Sequence, residues 1–353
     1  MNNKFIYYLL VFAMVCTTAD WAYAGNPDRQ GEAGAAQLLL NPWARSAGLH
    51  SMTTANIRGV EAMRINVAGL SRIAKTEFQF SNAIYLEGTD ININAFGIAQ
   101  RVGESGAFGV SLMAIDLGDI PVTTTNQPEG TGATFSPRLL NLGLSYAHTF
   151  ENKVSVGITF RGVSESTADL NAFGFAIDAG VQYVTGPQDN FKFGISLRNV
   201  GTPMSFTGQG LSENLPNPEG VLPYTLAYFQ RSQQFELPSM LNIGGSYDFL
   251  INPKNRLTLV ANFTSNSFSQ DQIGGGLEYA FNDMFMIRGG YKYEVGSQAD
   301  GGERAPVETG ISGGLTVEVP LKKESTNRLG IDYAYRTTDP WGGTHNFALR
   351  IML

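Results

Sequence analysis

Residues 154–160 read VSVGITF, and residues 173–183 read FGFAIDAGVQY. In both stretches apolar side chains alternate with small or polar ones, which is the period-two pattern of a β-strand with one apolar face. The same alternation recurs along most of the chain in runs of about ten residues, the length at which a strand crosses a bilayer. It predicts an all-β protein with fourteen strands. These span residues 76–86, 89–100, 106–116, 138–149, 154–160, 173–183, 191–197, 241–249, 257–263, 273–281, 285–295, 307–319, 329–335 and 347–353.

The connections between the predicted strands alternate in length. Short ones, such as 101–105 and 150–152, alternate with a longer set that includes 117–137, 164–171 and 201–238. Transmembrane β-barrels have short periplasmic turns and long outer loops, whereas the connections of a soluble β-sandwich are not expected to alternate in length. The pattern therefore favours a closed, antiparallel transmembrane β-barrel over a secreted soluble β protein.

The second strand shows a change of parity. Ile91 and Ile93 lie on one face, but Phe96 and Ile98 lie on the other. Because one extra residue in a strand exchanges its two faces, we predict a β-bulge near Ala95.

Charged residues in the strands after residue 154 all lie on the face opposite the apolar side chains. A charge that faces lipid costs about 2 to 4 kcal/mol at the middle of the bilayer, so the apolar face should contact outer-membrane lipid and the charges should line the lumen. Seven acids and seven bases make that lumen near neutral, so we expect cross-strand ion pairs rather than a channel selective for one sign of charge. The set comprises Arg161, Asp178, Lys192, Arg198, Asp248, Glu278, Arg288, Lys292, Glu294, Glu308, Glu318, Asp332, Arg336 and Arg350.

Composition excludes several other classes of protein. With 24 Lys and Arg against 31 Asp and Glu, the net charge of −7 is unfavourable for binding nucleic acid, so we expect no such partner. The single cysteine, Cys16, excludes a disulfide framework and a Cys-based zinc site. His148 and His345 fall near opposite membrane edges, so they cannot form one catalytic site. We therefore expect no catalytic, cofactor or metal site.

The first residues of the chain have the pattern of a cleavable signal peptide over residues 1–24. A basic residue, Lys4, precedes an apolar run, and small residues precede the predicted cleavage after Ala24. A lipoprotein signal at Cys16 is the alternative, but Val15 stands where a small residue is expected. An exported barrel belongs in the outer membrane of a Gram-negative bacterium.

Residues 25–75 do not alternate. They consist of small residues and short apolar pieces, which suit a segment packed inside the barrel of residues 76–353. We predict that this segment plugs the lumen; an open pore is the alternative.

Two motifs in this segment resemble a known signature. Residues 40–48, LNPWARSAG, and residues 66–70, NVAGL, resemble the amino-terminal signature of the PorV/PorQ family, a branch of the FadL-type fourteen-stranded barrels. The usual second motif is Asn-Pro-Ala-Gly-Leu, and Val67 here replaces its proline. The motif positions that we assign to the plug are Asn41, Pro42, Arg45, Gly48, Asn66 and Gly69.

The resemblance implies a role in the type IX secretion system of Bacteroidota. PorV-like proteins bind the carboxyl-terminal signal domain of exported cargo, associate with the giant translocon barrel and pass cargo to a surface attachment complex containing a sortase-like protease. PorQ instead anchors a surface partner. The alternative function is FadL-like transport of a hydrophobic small molecule, which requires an apolar pocket beneath the outer loops and a kinked strand that opens toward lipid.

The longest predicted loop, 201–238, carries apolar side chains among polar residues and prolines. Exposed anchors of this kind suit binding of a protein partner. The alternative is that they fold over the barrel mouth and pack on one another. The candidate partner-binding residues are Phe206, Leu211, Leu215, Leu222, Tyr224, Tyr228, Phe229 and Phe235.

Overall fold

The computed structural model describes residues 25–151, 153–216, 224–296, 306–321 and 327–353. Fourteen long antiparallel strands pair in chain order, and the last pairs with the first, so the sheet closes into a barrel. They are β1 (Thr76–Tyr85), β2 (Ile91–Val102), β3 (Gly106–Asp116), β4 (Arg138–Phe150), β5 (Val154–Thr167), β6 (Leu170–Thr185), β7 (Phe191–Gly201), β8 (Met240–Asn252), β9 (Asn255–Asn266), β10 (Gln272–Phe281), β11 (Phe285–Glu294), β12 (Glu308–Pro320), β13 (Arg328–Thr338) and β14 (Thr344–Met352).

The fourteen-stranded antiparallel barrel is thus confirmed, with one loop different from the prediction. Residues 164–171 are not a loop, because β5 and β6 continue as a hairpin to the turn at residues 168–169. We call the end of the barrel that carries residues 117–137 and 201–238 the loop end, and the opposite end the turn end.

The predicted bulge near Ala95 is wrong. Both ladders of β2 keep their register past Ala95. Ile93 faces inward and is 0% exposed, because it packs with Trp43, Val60 and other apolar residues of the amino-terminal segment. An apolar side chain at this position therefore does not mark the lipid-facing side of the strand.

The register does shift at three other places in the strands, one of them between Leu250 and Asn252 in the β8–β9 ladder. The β6–β7 ladder shifts between Ile177 and Ala179, and Arg198 and Asn199 on β7 are consecutive and both buried. The β12–β13 ladder shifts between Glu308 and Ser312. Each shift inserts extra residues into one strand, and a bulge of this kind redirects side chains.

Apolar and charged side chains are segregated between the two faces of the wall, as predicted. On the outside, Phe160 is 57% exposed, whereas inside Asp332 is 0% exposed. The lumenal charges form ion pairs, including Arg161–Asp178 at 2.6 Å and Arg288–Glu278 at 2.9 Å. A charge on this inner face avoids the cost of contact with lipid.

Short elements complete the described part of the chain. The α-helices are α1 (Ala44–Ala47) and α2 (Ala62–Ile65), and 3₁₀ turns span Pro27–Arg29, Ala36–Leu39, Val67–Arg72 and Gln209–Leu211. Among the residues that the structure describes, no helix is both long and apolar enough to cross a membrane. In the loops, Ile120–Pro121 pairs with Thr134–Phe135, and Thr207–Gly208 pairs with the start of β6. Ser212–Pro216 pairs with Thr225–Phe229.

Candidate functional site

The amino-terminal segment packs against the inner wall of the barrel. Residues 41–50 and 59–71 are almost entirely buried. Wall glycines allow its backbone to approach closely: a Cβ at Gly157 would lie 2.7 Å from the Val67 carbonyl carbon, and one at Gly194 would lie 2.4 Å from the Thr54 carbonyl oxygen. Glycine in a strand often marks such an approach of another backbone. The contacts place the segment on the lumenal face.

Asn66 joins the second motif to the wall. Its side chain caps the 3₁₀ turn Val67–Arg72 by accepting from the Ala68 amide at 3.2 Å. The same side chain donates to the Thr54 carbonyl at 2.9 Å and to the Val181 carbonyl of β6 at 3.1 Å. Nearby, a Cβ at Gly69 would lie 2.1 Å from a backbone carbonyl oxygen, so glycine is required there.

The first motif is held in a similar way. Asn41 Oδ1 accepts from the Trp43 amide at 3.1 Å, and Asn41 Nδ2 donates to the hydroxyl of Ser46 at 2.9 Å. The carbonyl of Pro42 accepts from Asn346 Nδ2 of β14, also at 2.9 Å. These bonds satisfy buried polar groups and fix the turn before α1.

The remaining motif positions meet the ion pairs of the wall. Arg45 Nη2 lies 3.8 Å from Glu278 Oε1. A Cβ at Gly48 would lie 3.0 Å from the Arg288 side chain and 3.1 Å from the Gly314 Cα. Five motif residues, Asn41, Pro42, Arg45, Gly48 and Asn66, therefore contact the wall, whereas the atoms nearest Gly69 belong to the segment itself.

Two buried charges of the segment were missed from the sequence. Glu61 accepts from the Ser46 amide at 2.9 Å and from Gln79 Nε2 at 2.8 Å. Arg64 donates to the carbonyls of Gln37 and Leu40 at 2.6 and 2.7 Å. Burial is the main cause that lowers the pKa of Arg64. The sequence feature that could have indicated their burial is the presence of two charged residues within the apolar run VEAMRI at residues 60–65.

The predicted partner-binding residues separate into two groups. Phe206 and Phe235 pack on each other over the base of the loop, with ring centroids 5.7 Å apart. They also cover a buried cluster that includes Met204 and Leu38 of the amino-terminal segment. Leu211 is partly buried, and its carbonyl accepts from the Gln230 amide at 2.8 Å. Phe206 and Phe235 therefore pack on one another in the structure.

The other group lies on the exposed loop ribbon, which we define as Ser212–Pro216 paired with Thr225–Phe229. All ten of its residues are exposed. Leu215 and Tyr228 share one face with Leu226, which the sequence reading missed, and Phe229 is on the other face at 67% exposed. Tyr224, also exposed, precedes the second strand. Leu222 lies outside the described residues.

The structure describes no metal-binding cluster. Among the described residues, no group of three or more His, Cys, Asp or Glu side chains could hold a metal ion. At the loop end, the ribbon carries exposed apolar side chains, and polar and charged side chains lie in the lumen.

The class of protein follows from this architecture: the chain is a FadL-like, fourteen-stranded outer-membrane β-barrel. It belongs to the family described as type IX secretion system membrane protein PorP/SprF, which matches residues 88–351. The motifs at 40–48 and 66–70 lie outside that match, and the specific resemblance to PorV/PorQ is not confirmed. No curated protein matches the chain.

Solved structures show the same fold. The Ralstonia pickettii toluene transporter TbuX is 13% identical, with a TM-score of 0.55 over 88% of this chain and 97% of its own. The CymD monoaromatic hydrocarbon channel is 14% identical, with a TM-score of 0.54 over 89% of this chain and 97% of its own. A Pseudomonas aeruginosa FadL homologue is 12% identical, with a TM-score of 0.50 over 88% of this chain and 97% of its own. At these identities the likeness concerns the fold.

Proposed function

We propose that this protein acts in the outer membrane as a binding component of the type IX secretion system and not as an enzyme. Its partners in this proposal are exported cargo, held through the carboxyl-terminal signal domain, and the giant translocon barrel. Cargo then passes to the sortase-like attachment complex at the cell surface. Membership of the PorP/SprF family supports the secretion role.

The loop ribbon is the observation that carries this proposal. Its side chains Leu215, Leu226 and Tyr228 are exposed on one face, which they share with Glu213. The two outer edges of a two-stranded ribbon also have unpaired backbone groups, which can add a strand from a partner. Apolar anchors and free strand edges together suit a protein ligand better than a small solute.

The lumen supports binding over conduction. Segment residues contact the inner face of the wall from β1 to β14, through Ser81 Oγ donating to the Pro42 carbonyl, Ser196 Oγ donating to the Ile65 carbonyl and Asn346 Nδ2 donating to the Pro42 carbonyl. We propose that residues 25–75 close the barrel as a plug. Hydrophobic transport is less favoured, because the cavity beneath the loop end is lined by charged and amide side chains as well as by apolar ones and β2 has no kink at Ala95.

The experiment uses a triple variant, Leu215→Ser with Leu226→Ser and Tyr228→Ser, which removes the apolar face. Tagged protein is isolated from native membranes in mild detergent, and co-purified translocon barrel and exported proteins are quantified. Each anchor contributes about 1 kcal/mol or more at a protein interface, so capture should fall about 100-fold. The matched control is Ser212→Ala with Asn214→Ser on the opposite face, which should capture partners normally.

Membrane insertion of every variant is checked by the mobility difference between heated and unheated protein in gels. If the triple variant inserts and still captures its partners at the control level, the ribbon is not the binding site. If the unmodified protein co-purifies only with lipid, the transport alternative is supported instead.

A further inference from the structure

A chamber of about 330 Å³ lies inside the loop end of the barrel, between the amino-terminal segment and strands β7 to β13. This volume falls in the range of about 300 to 1,000 Å³ that is typical of ligand sites. Asparagine, threonine and glutamine side chains from β8, β9 and β10 form one side of it. These are Asn242, Asn262, Thr264, Asn266 and Gln272.

The ionisable side chains of the chamber have an excess of positive charge. Arg198, Lys292 and Arg336 line it with a single carboxylate, Glu308. Glu308 pairs with Arg336, lies 4.0 Å from Lys292 Nζ and lies 3.6 Å from His50 Nε2. Burial and the charge of Lys292 lower the pKa of His50 to about 3, so this histidine is neutral at physiological pH. Three cations and one carboxylate therefore line the chamber, and outside the lining Asp178 acts on Arg198 and Glu294 acts on Lys292.

Several buried donors of the chamber residues make no hydrogen bond within the described chain. They are Nε of Arg198, Nδ2 of Asn242, and Nε and Nη2 of Arg336. Each of these three residues is less than one-tenth exposed. Buried donors normally have acceptors, so the group points to a ligand that supplies oxygen atoms.

Backbone irregularities meet at the same chamber. The β6–β7 shift lies beside Arg198 and turns the next residue, Asn199, inward as well, and the β12–β13 shift begins at Glu308. His50 and Ser51 have successive positive φ angles of 51° and 64° and both line the chamber. Bulges and left-handed residues cost stability and concentrate where side chains are aimed at a ligand.

From these observations we infer that the chamber is a binding site for a small hydrophilic molecule carrying an oxyanion, either a carboxylate or a phosphate. Lys292 and Arg336 hold the anionic group, and the amide and hydroxyl side chains of β8 to β10 bind the neutral body. This site is separate from the loop ribbon and does not depend on the role proposed for the ribbon.

Calorimetric titration of the purified full chain in detergent tests the inference. The probes are glucuronate, glucose as its neutral counterpart, and inorganic phosphate. Glucuronate should bind at least about tenfold more tightly than glucose, because charge-assisted hydrogen bonds are stronger than neutral ones. If phosphate binds as tightly as glucuronate, the site recognises the anion alone. If glucuronate binds more tightly than phosphate, the amide and hydroxyl side chains of β8 to β10 also bind the sugar ring.

Two variants locate the site. Lys292→Gln should weaken glucuronate binding about tenfold, whereas Lys192→Gln, which removes a lysine paired with Asp248 away from the chamber, should leave it unchanged. If Lys292→Gln does not fold, Asn242→Asp provides the test, since it replaces a free donor with an anion of the same shape and should also weaken binding. Equal affinity for glucose and glucuronate, no binding of any probe, or equal losses in the two lysine variants would each overturn the inference.

Discussion

Replacement of Gly194 by alanine tests how tightly the amino-terminal segment is held against the wall. Gly194 lies on β7, facing the backbone of residues 54–55. An alanine Cβ would lie 2.4 Å from the Thr54 carbonyl oxygen and 2.9 Å from the Ala55 Cα. Both distances are shorter than side-chain carbons adopt against a backbone, so the segment has to move away from β7.

The cost of that movement follows from the bonds at Thr54. Its carbonyl accepts from Asn66 Nδ2 at 2.9 Å and from Gln182 Nε2 at 3.1 Å. A weakened buried hydrogen bond costs about 1 kcal/mol, and overpacking of a filled interior costs about 1 to 3 kcal/mol. We expect Gly194→Ala to lower the free energy of unfolding by about 3 kcal/mol.

Urea unfolding of the protein in phospholipid vesicles, followed by tryptophan fluorescence, measures this loss. Trp43 is buried within the segment and reports on its environment. The control is Gly245→Ala on the neighbouring strand β8, where an added Cβ has no atom within 4 Å. This control should change stability by no more than about 0.5 kcal/mol. If both variants unfold at the same urea concentration, the reasoning about close backbone approach is refuted.

Two further predictions concern buried ionisable groups. Because the pKa of His50 is about 3 in the folded chain and about 6.5 when unfolded, the unfolded state binds more protons between these values, and stability falls as the pH falls through that window. The loss at about pH 4 is about 3 kcal/mol. His50→Asn, which tolerates the positive φ, should remove this acid sensitivity in urea titrations; an unchanged pH slope would contradict the assignment. Asp178→Asn leaves the buried guanidinium of Arg161, now 2.6 Å from Asp178, without its counter-charge and should cost about 3 to 5 kcal/mol in unfolding free energy. Asp283 is exposed, so Asp283→Asn should lower the unfolding free energy by less than about 1 kcal/mol. Equal losses in the two variants would show that the buried Arg161–Asp178 pair contributes no more to stability than an exposed pair.

The strand pattern was readable from the sequence because it depends on local alternation. A side chain that faces lipid must be apolar and its neighbour faces the lumen, so Phe160 and Arg161 could be assigned to opposite faces without a structure. The same rule failed at Ile93, where the lumen is itself apolar because the amino-terminal segment packs there. Alternation distinguishes the two faces of a strand only where their surroundings differ.

The candidate partner site was predicted in part. Composition indicated that the loop 201–238 carries apolar anchors, but it could not separate Phe206 and Phe235, which pack on each other, from Tyr228 and Phe229, which are exposed. That separation depends on a ribbon formed within the loop and on contacts with the distant Leu38.

By itself, the sequence determined the fourteen-stranded barrel, the segregation of charge into the lumen and hence the membrane environment, because these follow from which neighbours alternate along a strand. The tertiary structure alone decided which side chains meet inside the barrel. The contacts of Asn66 with β6 and the closeness of His50, Lys292 and Glu308 join residues far apart in the chain. These contacts cannot be predicted from the local sequence pattern, because they form only when the closed barrel wall surrounds the amino-terminal segment.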